Sequence, residues 1–172
     1  KKVLLMLDEI QTGLGRTGRM FCADYEDVRP DAFILGKALT GGFYPVSAVV
    51  GIKELIEVFD PGSHGSTYGG NPLGCMVALE ALGVIEREQL VSRSAELGKW
   101  LLEELAKLRD PNIKEIRGRG LLVAIELHSP ARQFCERLKE EGILCKETHD
   151  HVIRIAPPLV VERDDLEWAL EK

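Results

Sequence analysis

The stretch Val3-Leu4-Leu5-Met6-Leu7-Asp8-Glu9-Ile10-Gln11-Thr12-Gly13-Leu14-Gly15-Arg16-Thr17-Gly18 joins a short apolar run, two acids and a glycine-rich turn. A continuous apolar run over residues 3–7 reads as a strand buried on both faces of a parallel sheet. Asp8 falls at the C-terminal end of that strand, where open α/β sheets present side chains to a ligand crevice. A carboxylate that merely caps a turn fits the same position. Residues 13–18 match the GxGxxG dinucleotide pattern, but residues 8–12 separate them from the strand, and Arg19-Met20-Phe21 opens no amphipathic helix. The context that pattern requires is therefore missing. The acidic strand end also mimics a nucleotide-hydrolysing domain, yet no GxxxxGKS or GxxxxGKT stretch exists to take the phosphates.

Working outward, residues 32–35 read as a second strand and residues 45–50 as a third, followed by helical spacing over 53–59. Residues 60–71 are dense in turn formers. A helix is expected over 72–89, capped by Asn71 with Pro72 at its first position, and another over 94–108 with Leu97, Leu101, Leu105 and Leu108 on one stripe. Strands near 113–117 and 121–127, a helix over 131–140, strands near 143–146 and 152–155, and a helix from Arg163 complete the pattern. The chain divides into residues 1–71, part of a larger α/β sheet domain, residues 92–172, a small α+β domain, and a linking helix at 72–91. Starting on a strand pattern without an initiator Met, it reads as the C-terminal part of something longer.

The chain has 172 residues, 22 Lys+Arg against 28 Asp+Glu, and a net charge of −6; that balance, with no basic run longer than a pair, argues against general nucleic-acid binding. At 45% hydrophobic and 29% charged it has the material for a core rather than the composition of a disordered chain. No apolar stretch approaches the roughly 20 residues that cross a bilayer. Cys22, Cys75, Cys135 and Cys145 show no metal spacing and read as reduced thiols. His149 and His151 lack a third ligand nearby, so no metal site is expected.

Three further positions carry chemistry. Lys37 lies in Leu35-Gly36-Lys37-Ala38-Leu39, an apolar setting that suits either a partly buried amine nucleophile or a lysine whose stem packs while its charge reaches water. His64-Gly65-Ser66-Thr67 offers hydroxyls and backbone N–H groups before a helix, as a phosphate loop or as an ordinary turn. Arg154, in a strand, is either an ion-pair partner or a carboxylate clamp.

An acidic strand end, a lysine after an apolar strand and a Ser-Thr loop together point to pyridoxal phosphate chemistry. Asp8-Glu9-Ile10-Gln11-Thr12-Gly13 with Gly15-Arg16-Thr17-Gly18, Pro30-Asp31 and Gly36-Lys37-Ala38-Leu39 resembles the class III aminotransferase signature. Residues 64–74, His-Gly-Ser-Thr-Tyr-Gly-Gly-Asn-Pro-Leu-Gly, are similar to that family's phosphate-loop block. The resemblance implies a fold-type I pyridoxal-phosphate transferase, α/β, represented by part of the large sheet domain and the small C-terminal α+β domain. It implies Lys37 as the amine that holds the cofactor and moves the proton, and Asp8 as the partner of the pyridine nitrogen. Gln11 would sit near the phenolic oxygen and Ile10 on a ring face. Ser66 and Thr67 would bind the phosphate of a neighbouring subunit's cofactor in a homodimer, and Arg154 a substrate carboxylate.

Within the family, Tyr44-Pro45-Val46-Ser47, Ser66 before Thr67, and residues 154–160 lean toward members whose donor is ornithine, with those acting on acetylornithine the near neighbour. Residues 148–151 depart from that pattern, which usually carries a glycine there. The substrates implied are an amino acid and a 2-oxo acid, in arginine and proline metabolism. The compartment implied is the cytoplasm of a bacterium, or the mitochondrial matrix of a eukaryote, with no membrane or nucleic-acid partner. The isolated segment is expected to be inactive and prone to aggregate; a truncated, non-catalytic dimerisation module is the competing class.

Overall fold

The segment ending in Asp8 pairs in parallel with Ala32–Leu35, and that pairing founds the first of two sheets. Its strands β1 (Met6–Asp8), β2 (Ala32–Leu35) and β3 (Ala48–Gly51) run in the order β1-β2-β3, with β3 antiparallel to β2. The computed structural model describes residues 3–172. It divides into two units: one runs to Leu14 and resumes over Arg19–Gln89, the other joins Gly15–Gly18 to Leu90–Lys172.

The strand expected over residues 3–7 is corrected in both extent and burial. Pairing starts only at Met6, and Val3, Leu4, Leu5 and Met6 are exposed. The cause is position: among the described residues β1 is the sheet's edge, with a hydrogen-bonded neighbour on one side only. Asp31 fixes the approach to it, accepting the Leu5 N–H on Oδ2 at 2.7 Å and donating its own N–H to the Leu5 carbonyl. The third strand begins at Ala48 rather than residue 45. The one-turn helix α1 (Lys53–Ile56) is shorter than its spacing predicts.

Helix α2 (Pro72–Arg87) starts as expected, with Asn71 Oδ1 accepting the Gly74 N–H at 2.8 Å and Pro72 where no N–H is missed. It belongs to the first unit and packs on a 3-10 turn, Lys37–Thr40. Gln89, at φ +51°, breaks the chain between α2 and α3 (Leu90–Leu105). The stripe expected on α3 buries Leu101 and Leu105, while Leu108 lies past the helix end and is exposed.

The second sheet is antiparallel, β4 (Ile113–Arg119), β5 (Leu122–Leu127), β7 (Val152–Ile155) and β6 (Lys146–Thr148) in that order. On β5, Val123, Ile125 and Leu127 are buried and the residues between them half-buried, so one face forms the core. Each such side chain contributes about 1.5–3 kcal/mol by burial. That face carries α3, α4 (Arg132–Glu140) and α5 (Arg163–Glu171): α3 packs on β4 and β5, α4 on β6, and a cavity between α4 and α5 is floored by Ile153. Strand β6 starts three residues later than expected. Gly142, at φ +90°, ends α4 in a left-handed turn, and the Ile143 N–H returns to the Leu138 carbonyl at 2.8 Å.

The four inserted residues are tightly held in the second unit. Ser94 Oγ donates to the Arg16 carbonyl at 3.1 Å and accepts the Leu121 N–H at 3.2 Å. A Cβ on Gly18 would lie 2.9 Å from Ala95 Cα, and one on Gly120 would overlap the Thr17 backbone. The GxGxxG run is thus a packing insert rather than a helix-opening phosphate cradle.

Candidate active site

Because β1 and β2 are parallel, with Asp8 opposite Ile34, Asp8 and the Leu35-Gly36-Lys37 segment emerge at the same end of the pair. Asp8 is exposed, and its Oδ1 accepts the Ile10 N–H at 3.0 Å, which turns the chain sharply after the strand. Glu9 does the opposite and points inward, only 3% exposed. Its Oε1 accepts the Ala23 N–H at 2.9 Å and its Oε2 the Thr12 hydroxyl at 2.5 Å. Its own N–H donates to the Ile34 carbonyl, and its carbonyl accepts from Gly13. A buried carboxylate saturated this way fixes the loop from which Asp8, Ile10 and Gln11 project. Sequence reasoning passed over Glu9; the available signal was a second acid beside Asp8 with a hydroxyl three residues on.

Lys37 departs from β2 through Gly36, which is extended at φ −173°, and takes φ +43° itself. A left-handed lysine costs of order 1 kcal/mol or more, and such outliers persist where the surroundings impose them. Here Leu35 and Leu39 are buried on either side, Gly41 closes the turn at φ +57°, and Lys37 is left pointing outward. Its Nζ donates to Gln11 Oε1 at 3.0 Å. A Cβ on Gly36 would meet Ile10 Cγ2 at 3.4 Å, so the Ile10 side chain lies over the residue preceding Lys37. Within this chain Lys37 is exposed.

The structure therefore gathers Asp8, Ile10, Gln11 and Lys37 at one sheet end. It keeps Ser66 and Thr67 in an exposed loop, where Ser66 Oγ accepts the Gly69 N–H at 3.1 Å within its own turn. Arg154 lies on β7 of the second unit, half-buried, directly opposite Ala124 and Lys146. His149 and Asp150, both at positive φ, form the turn between β6 and β7. Among the described residues no group of three or more His, Cys, Asp or Glu side chains is arranged to hold a metal, and no helix is long and apolar enough to cross a membrane.

A carboxylate, an amine, an amide oxygen and an aliphatic side chain stand at one end of the first sheet, a set of groups that could hold a pyridoxal ring. The family model described as aminotransferase class-III matches residues 1–172. This chain belongs to the class III aminotransferases. That family works with pyridoxal phosphate. Over all 172 residues the chain is 58% identical to the ornithine aminotransferase of Halalkalibacterium halodurans, of which it covers 43%. The crystal structure of ornithine aminotransferase from Toxoplasma gondii superposes with a TM-score of 0.94 at 48% identity, over 98% of this chain and 42% of that one. Acetylornithine aminotransferase from Elizabethkingia anophelis gives 0.93 at 46%, over 98% and 44%. The chain thus spans well under half the length of the class III aminotransferases it matches. The two sheets of the structure fit a partial fold-type I domain followed by a small one.

Proposed function

We propose that, as part of its full-length protein, this chain serves a pyridoxal-phosphate-dependent aminotransferase moving the δ-amino group of ornithine to 2-oxoglutarate, giving glutamate semialdehyde and glutamate. The observation that carries the reading is Lys37, turned out of β2 to meet Gln11, on the loop that begins at Asp8. Pyridoxal phosphate, when bound, supplies the electron sink for the substrate carbon that loses its proton. Lys37 holds the cofactor through Nζ and carries the proton to and from that carbon. Asp8 keeps a proton on the ring nitrogen; Gln11 hydrogen-bonds near the phenolic oxygen; Ile10 packs on a ring face. Ser66 and Thr67 bind the phosphate of the neighbouring subunit's cofactor in a homodimer, a role their exposed loop leaves open to them. Arg154 binds a substrate carboxylate.

Residues 1–71 are then the end of the cofactor domain and 92–172 the small C-terminal domain; the link read from the sequence as one helix over 72–91 is α2, which ends at Arg87, followed past Gln89 by the first residues of α3. The protein works in arginine and proline metabolism, in the cytoplasm or, in a eukaryote, the mitochondrial matrix. Acetylornithine is the second donor to consider, since the acetylornithine enzyme superposes almost as well as the ornithine one.

Borohydride reduction of the full-length protein, followed by peptide mapping, should place a pyridoxyl group on Lys37. Lys37→Ala should remove that adduct and lower transamination by more than about 10²-fold. No adduct, with turnover retained in the variant, would overturn the assignment in favour of a non-catalytic module or another lysine. Competition between ornithine and N-acetylornithine decides the donor.

A further inference from the structure

In the second sheet, Arg117 stands opposite Ala124, Ala124 opposite Arg154, and Arg154 opposite Lys146. Directly opposed residues project from the same face, so these four form one cross-strand row with neighbours about 4.8 Å apart. The row lies on the face away from the helices: the alternate residues Val123, Ile125 and Ile153 are buried, and Glu147, beside Lys146, bonds to Arg132 of α4 at 2.7 Å.

The charges in this row are not equally committed. Arg117 is paired with Glu115 at 2.7 Å and Glu126 at 2.6 Å. Lys146 is exposed and makes no salt bridge among the described residues, and Glu147, the nearest acid in sequence, is engaged on the opposite face. Register sets Lys146 directly beside Arg154 on that face, so an anion held by Arg154 lies within reach of a second positive charge.

We propose that Lys146 is a specificity-determining residue, a second cation at the carboxylate site of Arg154 that favours the dicarboxylic 2-oxo acid over the diamino-acid donor. This rests on the reading of Arg154 as the carboxylate-binding residue. A dianionic acceptor gains from a second positive charge beside its carboxylate. A donor with a distal ammonium gains at one end and is repelled at the other, so its net response is small. Lys146 therefore sets the balance between the two halves of the reaction rather than the chemistry of either.

The test is steady-state kinetics of the full-length holoenzyme with Lys146→Met, Lys146→Arg, Arg154→Lys and, as a charge-matched control on α4, Lys139→Met. Lys146→Met should raise KM for the dicarboxylic oxo acid about fivefold, the scale of one unit charge acting through water at a few ångström. KM for the donor should move by less than twofold, and kcat by less than the acceptor KM. Lys146→Arg should restore the parent value, the difference should shrink in 0.5 M salt (roughly a 4 Å screening length), and Lys139→Met should match the parent. If Arg154→Lys raises both KM values while Lys146→Met changes neither, the role of Lys146 is refuted and the reading of Arg154 stands. If Arg154→Lys leaves both unchanged, the reading of Arg154 fails, and this proposal with it.

Discussion

Arg16 Nη1 donates to the backbone carbonyls of both Leu121, at 3.0 Å, and Pro157, at 2.5 Å, joining chain positions 105 and 141 residues away. Burial pulls its guanidinium pKa below the ordinary value, yet arginine starts so high that it stays charged. The residue therefore acts as a permanent cationic clip inside the second unit.

Arg16→Lys replaces the planar guanidinium with an ammonium on a shorter side chain, which falls short of the point from which Nη1 reaches both carbonyls. The expected loss is about 2 kcal/mol of unfolding free energy, the range for hydrogen bonds to a charged group. Urea unfolding of the full-length protein measures it; an unchanged midpoint and slope would show that the clip is redundant.

Gly98 sits where α3 passes the turn before β5, and a Cβ added there would overlap the Gly120 carbonyl. Backbone cannot withdraw as a flexible side chain can, so Gly98→Ala should cost about 1–3 kcal/mol despite its better helix propensity. Gly42→Ala meets nothing within 4 Å but is held at φ +72°, and should lose only about 1 kcal/mol. Thermal unfolding that ranks the two variants the other way round would contradict this account.

What the sequence made legible, and what it hid, follows from the range of the forces. The start of α2 was readable because Asn71 and Pro72 act within one turn. Asp8 and Lys37 were readable as odd polar residues at the ends of apolar runs. The late start of β6 was not, because it depends on Gly142 closing α4 and on a return bond to Leu138. Glu9 and Arg16 were hidden for a related reason: their partners, Ala23 in one case and Leu121 and Pro157 in the other, are fixed by tertiary structure. The left-handed Lys37 is likewise imposed by the burial of Leu35 and Leu39, against the residue's own preference.

Glu126 on β5 accepts hydrogen bonds from Lys114 at 2.5 Å and Arg117 at 2.6 Å, and these hold its carboxyl below the usual carboxylate range. A folded pKa below the unfolded value means stabilisation that is complete above the unfolded value, about 4.3, and lost as the pH falls through the folded one. Glu126→Gln should therefore lower the urea midpoint at pH 7, and the gap from the parent should close as the pH is taken below about 4. A gap that stays constant down to pH 3 would mean the side chain contributes by packing alone.

Cys145, just before β6, is pushed up to about 12, chiefly by burial and then by its hydrogen bond with the Cys135 thiol on α4. A thiol raised that far is neutral throughout the physiological range, and only the thiolate attacks an alkylating reagent. At pH 8 its thiolate fraction falls roughly 10³-fold below that of an unperturbed cysteine near 8.5. Iodoacetamide labelling of the native full-length protein, read by peptide mass spectrometry, should leave Cys145 unmodified while the urea-unfolded chain labels readily. Its rate in the native state should still be climbing at pH 10, because the thiol has not yet titrated there. Cys135→Ala removes the partner's contribution but not the burial, so it should speed labelling only part of the way to the unfolded rate. A rate that levels off near pH 9 in the parent would show that Cys145 is an ordinary thiol and that the packing of α4 against β6 does not suppress its reactivity.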